Sequence, residues 1–199
     1  MIETQAKKVS SFFISRGIIV EADREVYDYC FEVSISAAVT LAVITGIGLA
    51  AGSLLPTLCY LAVFAVLKST IGGYHARSHA GCLFGMVSVY TLFLFVLLLL
   101  PDRPMRTASL VLSAAAVLTV FLFAPVGTRN KPLEKAETVR LRRQSRLLVL
   151  ILFALSAGLD AAGCSPKWPF TVSCAMAAAA LSLPAGLLQF RRCGTGKGI

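Results

Sequence analysis

The chain has 199 residues, of which 57% are hydrophobic and only 15% are charged, and its mean hydropathy is +0.78. This composition excludes an ordinary soluble globular domain, in which apolar and charged residues are closer to balance. The net charge of +9 is concentrated in short clusters between apolar runs, a pattern typical of membrane proteins whose connecting segments carry the charge.

The first segment, residues 1–28, mixes apolar side chains with basic ones. Phe12, Phe13 and Ile18 are interleaved with Lys8 and Arg16, which predicts an amphipathic helix lying in the membrane interface. The segment has no continuous apolar core followed by small residues at a cleavage site, so we expect it to be retained rather than removed as a signal peptide.

Six apolar runs follow, each long enough to cross a hydrocarbon core of about 30 Å as a helix. The runs are continuously apolar rather than alternating, which favours helices over barrel strands. The fold is therefore predicted to be all-α and polytopic, with a transmembrane domain at 29–190 and a tail at 191–199. The predicted spans are Tyr29–Ala51, Leu54–Ile71, Cys82–Leu100, Ala108–Val126, Leu147–Gly163 and Phe170–Phe190.

The distribution of basic residues predicts the orientation. With both termini in the cytoplasm, every Lys and Arg except Arg103, Arg106 and Lys167 falls on the cytoplasmic side, as the positive-inside rule requires. The connection at 127–146 alone holds seven basic residues, which suit either anionic lipid or an acidic peptide. Nucleic-acid binding is disfavoured, because these residues lie in a lipid-bound loop without interleaved aromatic residues.

The cysteines and small residues carry weaker signals. The six cysteines form no CxxC pair and mostly lie in or beside the spans, so a disulfide framework is not expected. Small residues at Gly46, Gly48, Ala50 and Gly52 would let helices approach closely and are compatible with a homo-oligomer.

The connection between the second and third spans holds the residues best suited to chemistry. Both histidines of the chain, His75 and His79, lie there, after a glycine pair, Gly72 and Gly73, that predicts a sharp turn. Cys82 opens the next helix, where the positive end of the helix dipole favours a thiolate. A thiol at a helix start near an imidazole is the arrangement that nucleophilic catalysis requires.

Three interpretations of these histidines and this cysteine stay open. On a continuous helix His75 would lie about 10 Å from Cys82, so it can act as the base only if the segment folds back, whereas His79 would be a neighbour on the same face. Alternatively, His75, His79 and Cys82 could ligate zinc, although no fourth ligand is evident. The third alternative is a transporter or accessory subunit in which these side chains are incidental.

The stretch around the histidines resembles the signature of the accessory gene regulator protein B (AgrB) family, the membrane-embedded cysteine peptidases of bacterial quorum sensing. The likeness in length and span count covers nearly the whole chain. The residues that carry the likeness are Gly72, Gly73, Tyr74, His75, Ala76, Ser78 and Cys82, with Ala124, Pro125 and Asn130–Leu133 further along.

The resemblance implies an enzyme of the bacterial cell membrane that cuts a small peptide precursor on the cytoplasmic side. The precursor would have an amphipathic leader and an acidic C-terminal tail. Its N-terminal part would be retained as a thioester on Cys82, with His75 as base and acid, until an internal cysteine or serine closes a thiolactone or lactone. No cofactor or metal is implied.

The resemblance also implies supporting residues, with one departure from the family pattern. The family often has an arginine before its glycine pair, where this chain has a lysine that lacks the bidentate fork. No carboxylate lies beside His75, so Glu32 in the first span is the candidate for an orienting partner. The implied supporting residues are Lys68, Gly72, Gly73, Arg77, Ser78, Arg129 and Lys131.

Overall fold

The computed structural model describes residues 2–72, 79–126 and 135–194, without the side chains of residues 79, 135 and 187–194. The described chain forms seven α-helices and a short 3₁₀ turn, Glu21–Asp23. The helices are α1 (Ile2–Ser15), α2 (Arg24–Ala50), α3 (Leu54–Ile71), α4 (His79–Leu99), α5 (Asp102–Phe123), α6 (Lys135–Ala161) and α7 (Lys167–Gly194).

Helices α2 to α7 are each long and apolar enough to cross a membrane, which confirms the prediction of an all-α polytopic membrane protein. Helix α3 has the bounds of its predicted span, Leu54–Ile71, whereas the other five helices begin and end at different residues from theirs. Helix α4 begins at His79, so Cys82 lies within its first turn, and α6 begins at Lys135, so much of the segment predicted as a basic loop is helical. The charged first turns of α6 extend that helix beyond its apolar core.

Helix α7 is the centre of the bundle. Residues buried within the protein make up 61% of its apolar stretch, compared with 11% for α2. The reason is its run of small side chains, among which Ala175, Ala179 and Ala180 are almost fully buried, because small residues let neighbouring helices approach closely. Helices α3, α5 and α6 pack around this surface.

Two apolar clusters fill the bundle. One joins the ends of α3 and α5 to α6 and α7 and includes Ile71, Val126 and Leu183. The other is aromatic and joins α2, α3, α4 and α7, with the Tyr60 and Phe93 rings stacked 4.7 Å apart. The first cluster is therefore the packing that holds the segments leaving α3 and α5.

Helix α1 packs against the first turns of α2. Ser10 is fully buried and hydrogen-bonds the Asp28 carboxylate, while Phe13 stacks on Phe31 with ring centroids 5.6 Å apart. The helix ends at Ser15, and Gly17, two residues further on, has a positive φ of 68° that suits a residue without a Cβ. The predicted amphipathic segment thus forms a helix that uses part of its surface to contact the bundle.

The small residues of α2 have different surroundings. A Cβ on Gly48 would lie 2.0 Å from the Thr57 hydroxyl oxygen, so this glycine permits close packing of α2 on α3 within one chain. Gly46 has no neighbour within 4 Å of its Cβ position among the described residues. Gly48 therefore serves the fold of the chain itself, and a homo-oligomer stays a prediction.

Candidate functional site

The segment that follows α3 is fixed to the segment that follows α5. The Val126 amide donates to the Ile71 carbonyl at 3.0 Å, and Gly72 and Val126 form an isolated parallel bridge. Gly72 has a φ of +67°, and a Cβ there would lie 2.2 Å from the Val126 carbonyl oxygen. Only glycine satisfies both constraints, so Gly72 makes the turn that the sequence predicted and also joins two connections.

Lys68 lies one turn before Gly72, and its ammonium points into the bundle. The lysine is partly buried, and its Nζ donates to the Ser182 hydroxyl of α7 at 2.7 Å. The Ser182 hydroxyl in turn donates to the Ala179 carbonyl at 2.7 Å. A charged side chain near the end of a membrane span needs such polar contacts, because apolar surroundings penalise its charge.

Cys82 lies in the first turn of α4 as a free, partly exposed thiol. The start of a helix carries a partial positive charge, which favours a thiolate over a thiol. The role of Cys82 as a nucleophile stays a prediction.

Most other predicted site residues lie outside the described residues: Gly73, His75, Arg77, Ser78, Arg129 and Lys131. His79 is the first residue of α4, with its side chain outside the description. The choice between His75 and His79 as the base therefore stays a prediction, as does the metal alternative. Among the side chains that are described, no group of three His, Cys, Asp or Glu residues could hold a metal ion.

Glu32, the candidate orienting carboxylate, lies in α2 where that helix meets α1. It lines a groove between the two helices, and its charge acts on the Lys7 ammonium. Its role as a partner of His75 stays a prediction, since His75 is outside the described residues. Lys7 also pairs with Glu3 at 2.7 Å, and this contact lowers the pKa of the Glu3 carboxyl and raises the pKa of Lys7.

The basic residues at the start of α6 divide into two kinds. Arg140, Arg142 and Arg143 are exposed. Arg146 instead packs over the Phe121 ring, with its guanidinium carbon 5.1 Å from the ring centroid, and donates to the Phe121 carbonyl at 3.2 Å. Arg146 therefore ties α6 to α5, while the three exposed arginines present positive charge at the same end of the bundle as Cys82.

Sequence reasoning missed Ser182 as the partner of Lys68. The two residues are 114 positions apart, and Ser182 lies in an alanine-rich apolar helix where nothing marks it as functional. The available signal was Lys68 itself, because a lysine in a membrane span predicts a polar partner on another helix. The bridge between Gly72 and Val126 was likewise invisible in the sequence pattern.

Comparison with known protein families gives a match to accessory gene regulator B (AgrB) over residues 6–183. The matched stretch covers most of the chain and includes the connection from α3 to α4 and that from α5 to α6. Searches of curated proteins and of solved structures return no match. The chain therefore belongs to the AgrB family, which supports a part in quorum-sensing peptide processing with a peptide precursor as substrate.

Proposed function

We propose that this AgrB-family protein is a membrane-embedded cysteine endopeptidase with Cys82 as its nucleophile. The observation that carries the proposal is the position of that partly exposed cysteine in the first turn of α4. The positive end of the helix dipole favours a thiolate at this position. Family membership supplies the substrate class, a small peptide precursor.

The reaction begins when Cys82 loses its proton to the imidazole of His75. The thiolate attacks the carbonyl carbon of the scissile peptide bond, and the tetrahedral intermediate collapses as the imidazolium returns the proton to the leaving amine. The C-terminal part of the precursor departs with a new amino terminus. Its N-terminal part stays on the enzyme as a thioester of Cys82.

A second nucleophile resolves the thioester. The thiol of an internal precursor cysteine, or the hydroxyl of an internal serine, attacks the thioester carbonyl while His75 takes its proton. A new thioester or ester bond closes the ring, the bond to Cys82 breaks, and the proton passes to the Cys82 sulfur. The products are a thiolactone or lactone peptide and the regenerated enzyme, with no external oxidant or reductant.

The charge pattern supports a cytoplasmic site with both termini on the same side. The exposed arginines at the start of α6, together with Arg129 and Lys131, would bind the acidic tail of the precursor at the same end of the bundle. Bidentate arginine–carboxylate contacts would fix the tail. Its amphipathic leader would lie in the interface, and Gly72, Gly73, Arg77 and Ser78 would shape the connection that carries His75.

Co-expression with a precursor encoded beside the gene tests this proposal. We expect Cys82→Ala to abolish cleavage, while Cys30→Ala, which changes an exposed cysteine of α2, leaves it intact. In the wild type, a peptide adduct that hydroxylamine releases should be found on Cys82 by mass spectrometry. Cleaved peptide in the Cys82→Ala strain would show that the mechanism is wrong.

A further inference from the structure

Helices α2 and α4 join the core of the bundle in the halves that lie away from Cys82. Residues 24–43 of α2 and residues 80–89 of α4 are all partly or fully exposed. The next residue of each helix, Ile44 and Tyr90, is fully buried in the aromatic cluster. The other apolar cluster, which reaches Ile71 at the Cys82 end, contains no described residue of α2 or α4. The first halves of these two helices therefore lie outside the core.

The exposed surface of α2 includes the face that this helix turns to the bundle. Three residues precede Ile44 on that face at intervals of three and four: Val33, Ala37 and Thr40. Val33 is 43% exposed although Ile44 is fully buried. Helix α1 packs on another side of α2, where it contacts Phe31. Because one face is buried at one end and open at the other, α2 diverges from the bundle towards the Cys82 end.

Cys82 lies on the side of α4 that faces the bundle. Cys82, Met86 and Tyr90 follow one another at four-residue intervals, so their side chains are neighbours along the helix surface. Met86 packs against the aromatic cluster and Tyr90 is fully buried. Phe84, two residues after Cys82 and so on the opposite side of the helix, is 76% exposed. A scissile bond therefore reaches the sulfur from the bundle side of α4.

The open face of α2 and the thiol lie at similar depths. The Tyr90 hydroxyl lies 2.6 Å from the Thr57 hydroxyl oxygen, and Gly48 packs against the same oxygen. Helices α2 and α4 are alternate spans that run in the same direction, and each rises about 1.5 Å per residue. Counting eight residues back from Gly48 and from Tyr90 brings Thr40 and Cys82 to about the same level.

The space between these two faces is the α2–α4 cleft, lined by Val33, Ala37, Thr40, Cys82 and Met86. We propose that the α2–α4 cleft binds the apolar segment of the peptide precursor that carries the scissile bond. The cleft continues the contact that α2 already makes with the bundle at Ile44, so the bound segment extends an existing interface. This inference rests on the proposed function of Cys82 and assigns its substrate site.

The chemistry of the cleft selects its occupant. Val33, Ala37 and Met86 are apolar, and the Thr40 hydroxyl already donates to the Ser36 carbonyl at 2.9 Å. These side chains present apolar surface, which favours burial of an apolar segment. A lipid chain or a second copy of this protein is apolar as well, but a permanent occupant would cover the side from which the thiol is reached. A peptide that enters and leaves is compatible with catalysis.

Two neighbouring alanines of α2 test the cleft with one substitution. Ala37 lies on the open face, while Ala38 is also exposed but lies about 100° further round the helix. We expect Ala37→Trp to lower precursor cleavage at least about tenfold and Ala38→Trp to stay within about twofold of the wild type, because only the first indole fills the cleft. Cleaved peptide is measured per folded protein, with the melting temperature in detergent as the check on folding.

Photo-crosslinking identifies the occupant and needs no cleavage. The photoreactive residue p-benzoylphenylalanine replaces Ala37 or Ala38 in the Cys82→Ala protein, which is co-expressed with the precursor and irradiated in native membranes. Mass spectrometry then identifies each adduct. We expect at least about fivefold more precursor adduct from position 37 than from position 38, because a cleft surrounds its ligand.

The outcomes separate this inference from the proposed function. A phospholipid adduct or an adduct with a second copy at position 37, in place of the precursor, would overturn the substrate site. Equal precursor adducts at the two positions, or equal cleavage by the two tryptophan variants, would overturn it as well. A precursor adduct confined to position 37, together with a wild type that cleaves nothing, would retain the cleft as a peptide site and remove the peptidase proposal alone.

Discussion

The two ends of the bundle both contain buried polar groups that link helices, but the groups are connected differently. At the end opposite Cys82, Ser109, Ser156 and Ser173 from α5, α6 and α7 bond one another at 2.9 to 3.3 Å, and Ser156 also donates to the Pro169 carbonyl at 3.2 Å. At the other end, the Lys68 ammonium donates to the Ser182 hydroxyl, which in turn donates to the Ala179 carbonyl.

The difference is one of charge and accessibility. The three serines are neutral and at most 4% exposed, so their hydroxyls satisfy one another and hold the helices together. The pair at the Cys82 end contains a cation, Lys68, and Cys82 at the same end is partly exposed. The same kind of interhelical hydrogen bond therefore joins neutral groups at one end and involves a charged group at the other.

The largest effect is expected from Gly72→Ala, which should disrupt the contact between Gly72 and Val126 at the Cys82 end of the bundle. The new Cβ would meet the Val126 carbonyl oxygen and would also hold a positive φ that alanine avoids, at a cost of about 1–3 kcal/mol for the backbone strain alone. We expect precursor cleavage to fall at least about tenfold, since the connection carrying His75 starts at this residue. Cleavage measured per folded protein is the test.

Gly52→Ala is the matched control for Gly72→Ala. Gly52 also has a positive φ, of 64°, but its Cβ position has no neighbour within 4 Å among the described residues. This change imposes the backbone strain without the collision, at the opposite end of the bundle. Equal losses of cleavage in the two variants would show that the contact with Val126 does not matter for activity.

Ser173→Ala should have the next largest effect, on stability rather than on activity. Removing this hydroxyl leaves Ser109 and Ser156 each without one partner, which should cost about 1–3 kcal/mol. We expect a lower melting temperature in detergent and an unchanged rate of Cys82 alkylation per folded molecule. A slower alkylation rate with unchanged melting would contradict the division between the two ends.

The smallest effect is expected at the ion pair between Arg106 and Asp160, which also lies at the opposite end. The side chains are 37% and 42% exposed, and exposed pairs contribute about 1 kcal/mol or less. Arg106→Gln and Asp160→Asn should each lower the melting temperature slightly, and the double variant should reveal a weak coupling in a cycle. A coupling comparable to the loss in Ser173→Ala would reverse this ranking.

Several features of the fold and of the candidate site could be predicted from the sequence. Six apolar runs of sufficient length predicted the six long helices, because a chain in lipid must satisfy its backbone hydrogen bonds within each helix. The glycine pair after Lys68 predicted the turn that Gly72 makes. Cys82 was expected at a helix start, and it lies in the first turn of α4. The motif around His75 predicted the family.

Other features could not be predicted from the sequence, because they depend on which faces of the helices meet. Helix α7 and helix α2 are both apolar, yet one is mostly buried and the other mostly exposed. In a membrane both lipid and protein are apolar partners, so hydrophobicity does not mark the inward face. For the same reason Ser182 carries no local sign that it meets Lys68.

The sequence by itself determined that this chain has six helices long and apolar enough to cross a membrane, that a cysteine lies at the start of one of them, and that the chain belongs to the AgrB family. Length, apolarity and backbone hydrogen bonding are local properties, and a single segment contains all the information about them. Only the tertiary structure decided that Lys68 meets Ser182 and that Gly72 meets Val126. Those contacts arise from the rotation and crossing of helices far apart in the chain, which close packing of small residues sets.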